Sequence, residues 1–280
     1  MKKITRRSFL AAAGLTAAAL ALTACGGSSS STASSVASSA AASSEAASSS
    51  AAAAELTTVE AGKLTMATNA AFPPYEMTTD AGDFEGIDID TAKAIAEKLG
   101  LELQIDDMDF DAALLSVQQG KADIVMAGVT VTDERKAVMD FSDSYATGIQ
   151  SIIVPEGSDI ASPDDLAGKK IGTQRGTTGY IYCSDDFGDE NVVAYDDGLT
   201  AVQALNNGQV DAVVIDNAPA KEFIAANPGL VILETSYAEE DYAIGLAKGS
   251  SLEDAINSAL EELKADGTLQ SIVDKYISAE

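Results

Sequence analysis

Arg135 closes the run Thr132-Asp133-Glu134-Arg135, and its planar guanidinium is a fork that matches a carboxylate. The same run also reads as a plain helix start, with Arg135 pairing on the surface with Asp133 or Glu134. Asp216 ends the apolar run Ala212-Val213-Val214-Ile215, which places a carboxylate at the carboxyl edge of a sheet, facing a cleft. The competing reading is an N-cap for a helix starting near Pro219, for which Asp216 stands three positions early. Thr177 and Thr178 follow Gly176 in a turn that opens a helix, where free N–H groups can receive an anion, or where the chain simply passes from strand to helix. Gly128 lets a ligand come close to the main chain, and Thr130 adds a hydroxyl two residues on. Such groups bind; they do not form a catalytic set.

The rest of the composition narrows the choice. The 280 residues include no His and two Cys, which removes the usual zinc ligand sets, a Cys/His pair, a Ser/His/Asp triad and a disulfide scaffold. Lys and Arg total 17 against 44 Asp and Glu, so the net charge of −27 opposes binding to nucleic acid or to an anionic membrane surface. With 46% hydrophobic residues the chain can bury a sizeable core, as one large or two medium domains. The acidic stretch Asp83 to Asp90 lacks calcium-loop spacing and reads as a solvated turn with a helix cap. No metal and no cofactor are expected.

Lys2, Lys3, Arg6 and Arg7 precede an apolar run from Phe9 to Leu22, the charged and hydrophobic regions of a secretory signal too short to span a bilayer. The run ends in Leu22-Thr23-Ala24-Cys25, which resembles a bacterial lipobox whose Cys25 is lipidated and becomes the mature N-terminus. Thr5-Arg6-Arg7-Ser8-Phe9-Leu10 also resembles a twin-arginine motif, leaving the export route open. Cleavage after residue 24 leaves 13 basic against 44 acidic residues, a net charge of −31. Between Gly26 and Ala54 stand 13 Ser and 11 Ala, a composition that buries no core and reads as a linker. As a random coil it spans about 30 Å, a leash to a membrane. Cys183, in Tyr180-Ile181-Tyr182-Cys183, is expected to be a half-buried packing residue, since no His exists to activate it.

From Lys63 onward strand and helix patterns alternate, which predicts α/β architecture with parallel sheets. Strands are expected at Leu64–Thr68, Leu101–Ile105, Ile124–Ala127, Ile149–Val154, Lys170–Thr173, Val192–Tyr195 and Ala212–Asp216. Asp90 is expected to N-cap a helix running to Gly100, and a second helix covers Phe110–Gln119. Ser162-Pro163-Asp164-Asp165 reads as a capped helix start, and helices follow at Thr200–Asn207 and Pro219–Ala226. Ser250 and Glu253 have capping-box spacing for a helix to about Ala265; Leu269, Ile272, Val273 and Tyr276 mark a last one. Two such α/β units offer a cleft between them, with hinges near 146–153 and 241–246.

The landmarks Thr68-Asn69-Ala70-Ala71-Phe72-Pro73-Pro74-Tyr75-Glu76, Gly86-Ile87-Asp88-Ile89-Asp90, Ala127-Gly128-Val129-Thr130-Val131-Thr132-Asp133-Glu134-Arg135, Asp140-Phe141-Ser142, Gly176-Thr177-Thr178, Asp216-Asn217-Ala218-Pro219-Ala220 and Asp266-Gly267-Thr268 occur in order. On them the chain resembles the polar amino-acid-binding proteins of ABC importers, solute-binding family 3, over essentially all of residues 60 to 280. The resemblance implies a two-lobed periplasmic-binding-protein-like fold of type II, hinge-linked, with the ligand cleft between lobes. Lobe 1 would be 59–148 with 245–280, and lobe 2 149–244, after a signal (1–24) and a lipidated linker (25–58). It implies Arg135, Gly128, Thr130, Thr177 and Thr178 around the ligand α-carboxylate, Asp216 on the α-ammonium, and Phe72 and Phe110 packing on the side chain. Asn69 and Gln174 would face the side-chain pocket. Members selecting basic amino acids often carry an acid where Asn69 stands, which favours a neutral polar ligand such as glutamine. The block Met108 to Tyr145 resembles glutamine-binding members, which carry Lys in place of Gln174 and Gly in place of Thr178.

The implied protein is a monomeric, extracytoplasmic lipoprotein without enzymatic activity, delivering an amino acid to an ABC permease. Two alternatives share the fold: a dehydratase-like enzyme acting on a small carboxylate, which needs a poised acid or base in the cleft, and a solute-binding sensor with the same binding residues.

Overall fold

The computed structural model describes residues 56–277. The signal, Cys25 and nearly all of the linker fall on residues 1–55, outside the described residues.

The chain opens with β1 (Lys63–Thr68), then a small antiparallel sheet of β2 (Ala71–Phe72), β3 (Glu76–Thr78) and β4 (Phe84–Glu85). Helix α1 (Ile87–Leu99) leads to β5 (Glu102–Asp107), and α2 (Phe110–Gln118) to β6 (Ile124–Val125). After α3 (Asp133–Val138) and β7 (Met139–Phe141) comes the long strand β8 (Ala146–Pro155). A second series follows: β9 (Ile171–Gln174), α4 (Thr178–Phe187), β10 (Val192–Tyr195), α5 (Gly198–Asn206), β11 (Ala212–Asp216), α6 (Asn217–Ala226), β12 (Leu230–Ile232) and β13 (Ala238–Tyr242). The chain ends with β14 (Gly245–Ala247), α7 (Glu253–Ala265) and α8 (Thr268–Tyr276).

One sheet runs in the order β5-β1-β6-β14-β7 and the other β10-β9-β11-β8-β12, with β13 also paired to β8. The fold is α/β with two lobes, but the sheets are mixed rather than parallel. β8 carries the chain into the second sheet, antiparallel to β11, and β14 returns it to the first, antiparallel to β6. β8 and β13 are the crossing strands, paired from Ala146↔Tyr242 to Gln150↔Ala238.

Apolar residues of β1, β6, α1 and α7, among them Met66, Ile124, Ile95 and Leu260, fill one core. α2 packs Ala113 and Val117 against Ala67 and Val125 on the other face of that sheet. The second sheet is likewise covered on both faces, by α5 and α6 around Val213 and by Ile171 and Cys183 around Val214. Cys183 is fully rather than half buried, and burial pushes its thiol up to about 12.

Three helix starts differ from expectation. Gly86, not Asp90, caps α1: its φ of 131° suits glycine, and a Cβ there would collide with the Tyr75 carbonyl. Asp90 instead sits in the first turn and holds Lys275 at 2.7 Å and the Tyr276 hydroxyl at 2.8 Å, tying α8 to α1. Ser162-Pro163 opens only a short 3-10 turn, Pro163–Leu166, whose Ser162 donates to Asp165. The Ser250 capping box does not form, because the helix starts at Glu253 and the Ser250 hydroxyl accepts from Leu252 N.

Candidate functional site

Nine of the ten expected site residues line one cavity where the two lobes meet; Asp216 does not. Arg135 reaches it because Thr132 N-caps α3, accepting from Arg135 N at 3.1 Å and turning the first turn inward. Arg135 is 8% exposed, and its guanidinium carbon lies 5.3 Å from the Phe110 ring centroid. Its Nη1 donates to Thr130 O at 2.8 Å and its Nη2 to Gly176 O at 3.1 Å, across the cleft. Two of five donors are thus used, and the rest of the fork can serve a carboxylate. Burial lowers the pKa of Arg135, with Glu240 opposing the shift.

Glu240 was not among the expected residues. Its Oε2 accepts from Thr130 Oγ1 at 3.1 Å, Thr178 Oγ1 at 3.0 Å and Gln150 Nε2 at 3.1 Å. Thr130 stands in the lobe of the first sheet and the other three in the second, so this carboxylate bridges the lobes. The alternation of β13 carried the signal: Glu240 and Tyr242 are its buried positions, two apart, within an acidic run that reads as solvated. Thr177 serves as N-cap of α4, accepting from Tyr180 N at 3.3 Å and donating to Gln174 O at 2.8 Å.

Asn69 and Gln174 face each other rather than open space. Gln174 Nε2 donates to Asn69 Oδ1 at 2.8 Å, and Asn69 Nδ2 donates to Met108 O at 3.0 Å. Phe72 stacks on Tyr75 with centroids 5.9 Å apart, and Tyr75 meets Tyr242 edge-on at 5.4 Å. A Cβ on Gly128, whose φ is 55°, would press on both Phe72 and Tyr242, so glycine makes the aromatic wall possible. The enclosed space is about 20 Å3, room for little more than one water, so an amino acid enters only when the lobes part.

Asp216 stands outside that cavity, and its N-cap reading is the one the local geometry meets. α6 begins at Asn217, two residues before Pro219, and Asp216 is its N-cap: Oδ1 accepts from Ala218 N at 3.0 Å, and Oδ2 from Ile149 N at 2.7 Å. It lines a neighbouring recess on the crossing strands with Tyr75 and Thr147. Tyr242, in the cavity wall, hydrogen bonds to it. Burial pushes its carboxyl up to about 6.

A second missed acid, Glu76, is fully buried and lines the cavity, with no protein donor to either carboxylate oxygen among the described residues. It pairs in register with Phe72, whose side chain marks the same wall. Its signal was its place in the Phe72 to Glu76 landmark, where the aromatic and proline residues drew the reading.

Residues 64–279 match the model of the bacterial extracellular solute-binding proteins, family 3. A probable histidine-binding protein of Neisseria gonorrhoeae is 33% identical over 222 residues, 77% of this chain and 83% of that protein. The arginine-binding extracellular protein ArtP of Bacillus subtilis is 32% identical over 228 residues, 78% of this chain and 87% of its own. An ancestral arginine-binding protein, solved bound to arginine and bound to glutamine, superimposes with a TM-score of 0.74 at 43% identity, covering 78% of this chain and 99% of that one.

Proposed function

Because the chain belongs to the bacterial extracellular solute-binding proteins of family 3 and is an amino-acid-binding component of an ABC transporter, not an enzyme, we propose that it captures one polar amino acid by closure of two lobes and hands it to the permease. The moving bodies are residues 59–148 with 245–280, and 149–244. Arg135 carries the reading: a buried, cleft-facing guanidinium with spare donors, bonded to the opposite lobe at Gly176. An amino-acid zwitterion loses its hydration on both charged ends, so each end needs an opposite charge and several hydrogen bonds.

Arg135, Gly128, Thr130, Thr177 and Thr178 surround the α-carboxylate. Asp216 takes the ammonium through the lone pairs its two backbone bonds leave, with Glu240 a second acid beside the same residues. Phe72 and Phe110 pack on the side chain. The neutral amides of Asn69 and Gln174 support a neutral polar ligand such as glutamine, which the ancestral relative binds. A basic side chain is the second reading, favoured by Glu76 and in keeping with the arginine that the same relative binds. The lipobox supports lipidation at Cys25 and a tether to the outer face of the cell membrane, and the protein is read as a monomer.

The test is a thermal-shift series on refolded, ligand-stripped protein against the twenty proteinogenic amino acids, cystine and ornithine. Ligand at 100 times its dissociation constant adds about 2.7 kcal/mol of stability, several degrees for a chain this size. One or two polar amino acids are expected to shift the melt; folded protein that responds to none overturns the reading.

A further inference from the structure

Glu76 and Asp88 form an adjacent pair of buried acids with unequal surroundings. The start of α1 holds them together: Ile87 N donates to Pro74 O at 3.0 Å and Asp88 N to Tyr75 O at 2.8 Å. Asp88 is well supplied, accepting from Gly128 N at 3.0 Å and from the Tyr145 hydroxyl at 2.7 Å. Among the described residues Glu76 finds no protein donor to accept from, though it is the acid that lines the cavity. An ionised carboxylate buried without protein donors is very costly, and two adjacent acids that differ this way share one proton, held by the poorer site. Glu76 therefore keeps the proton and Asp88 the charge.

The surrounding charges act in the same sense. Burial first, then Asp88, hold the Glu76 carboxyl well above the usual range, and Asp107 of β5 and Asp216 at the start of α6 add to it. Tyr75 and Tyr145 are phenols that stay neutral beside the pair. Arg135, the base lining the same cavity among the described residues, is bonded to Thr130 and Gly176. Asn69, whose amide was expected to read the ligand side chain, is satisfied by Gln174 and Met108.

Resting on the amino-acid-receptor reading, we propose that Glu76 receives the far end of the ligand side chain and reads its charge by exchanging a proton. A guanidinium or ammonium docks on ionised Glu76, and the proton shared with Asp88 leaves to solvent. A neutral amide docks on protonated Glu76, whose O–H and carbonyl match an amide's acceptor and donors, and no proton leaves. One pocket thereby serves both classes, with the proton as the replaceable cation.

The experiment is calorimetric titration of the protein with arginine and with glutamine at pH 7, in buffers of different ionisation enthalpy, so that the proton count is read directly. Arginine is expected to release close to one proton and glutamine none. Glu76→Gln, which keeps the shape and removes the charge, is expected to weaken arginine by about 100-fold or more, leave glutamine within about threefold, and abolish the release. Arginine binding to the unaltered protein without proton release overturns the proposal and needs no variant to fold. Release that persists in Glu76→Gln overturns it too, while the receptor reading stands. Folded protein that binds no amino acid ends both.

Discussion

Arg135 and Asp216 illustrate how far a residue's chemistry is legible before its surroundings are known. The fork of Arg135 suits a carboxylate wherever it stands, but only Thr132's cap and the carbonyls of Thr130 and Gly176 aim it at the cleft. Arg135→Lys keeps the charge and loses the fork. We expect it to weaken amino-acid binding by about 10-fold to 100-fold, from loss of charge-assisted hydrogen bonds contributing roughly 1.5 to 3 kcal/mol each. Calorimetric titration checks this, and unchanged affinity would remove Arg135 from the head-group site. Asp216 shows the opposite case, a carboxylate whose role depends on where a helix begins. Two residues of extra helix make it a cap.

At the scale of elements, strand and helix periods were well marked where apolar residues repeat, as in β1, α2, β10 and β11. They were poorly marked at the caps, because a cap is decided by which donor a side chain finds rather than by pattern. The turn between β9 and α4 joins local geometry to closure. Gly176 has a φ of 73°, and a Cβ there would collide with the Asp111 carboxylate at the start of α2 in the other lobe. Gly176→Ala is therefore expected to hinder closure and weaken ligand binding by about 10-fold or more, besides a backbone cost near 1 kcal/mol. Adding Asp111→Ala should recover most of the affinity while leaving the backbone cost. If the double variant binds no better than Gly176→Ala alone, this contact does not limit closure.

For the whole molecule, the buried acids set an unusual dependence on pH. Burial lifts the Asp88 and Asp216 carboxyls from 3.8 to about 6, so the folded protein holds these protons longer than the unfolded chain. The stability they lend is complete below about pH 4, falls as the pH rises from about 4 to about 6, and is then level. Each represents on the order of 3 kcal/mol across that range, and the two together about 6 kcal/mol. Relief of the −27 charge acts in the same direction. Asp90, Asp140, Asp165 and Asp266 shift the other way through their partners, but they lie toward the surface and are screened. Melting followed by circular dichroism should give a midpoint several degrees higher at pH 5 than at pH 7.5. A lower midpoint at pH 5 contradicts the burial of these charges.

What the sequence determined by itself was the α/β class, the landmarks of an amino-acid receptor and nine of the residues around its cavity, since each rests on local pattern, on a residue type suited to a charged head group or, for Asn69, Phe72, Phe110 and Gln174, on the resemblance those landmarks carry. The tertiary structure alone decided which polar groups are already satisfied. Asn69 and Gln174, distant in the chain, spend their amides on each other, and Asp216 spends its oxygens on Ile149 and Ala218. The sequence marked the places of Glu76 and Glu240, but their surroundings were decided only when the folded chain put one acid in a wall without protein donors among the described residues and the other among three of them. Satisfaction of a buried polar atom is a property of its neighbours in space, and no spacing along the chain encodes it.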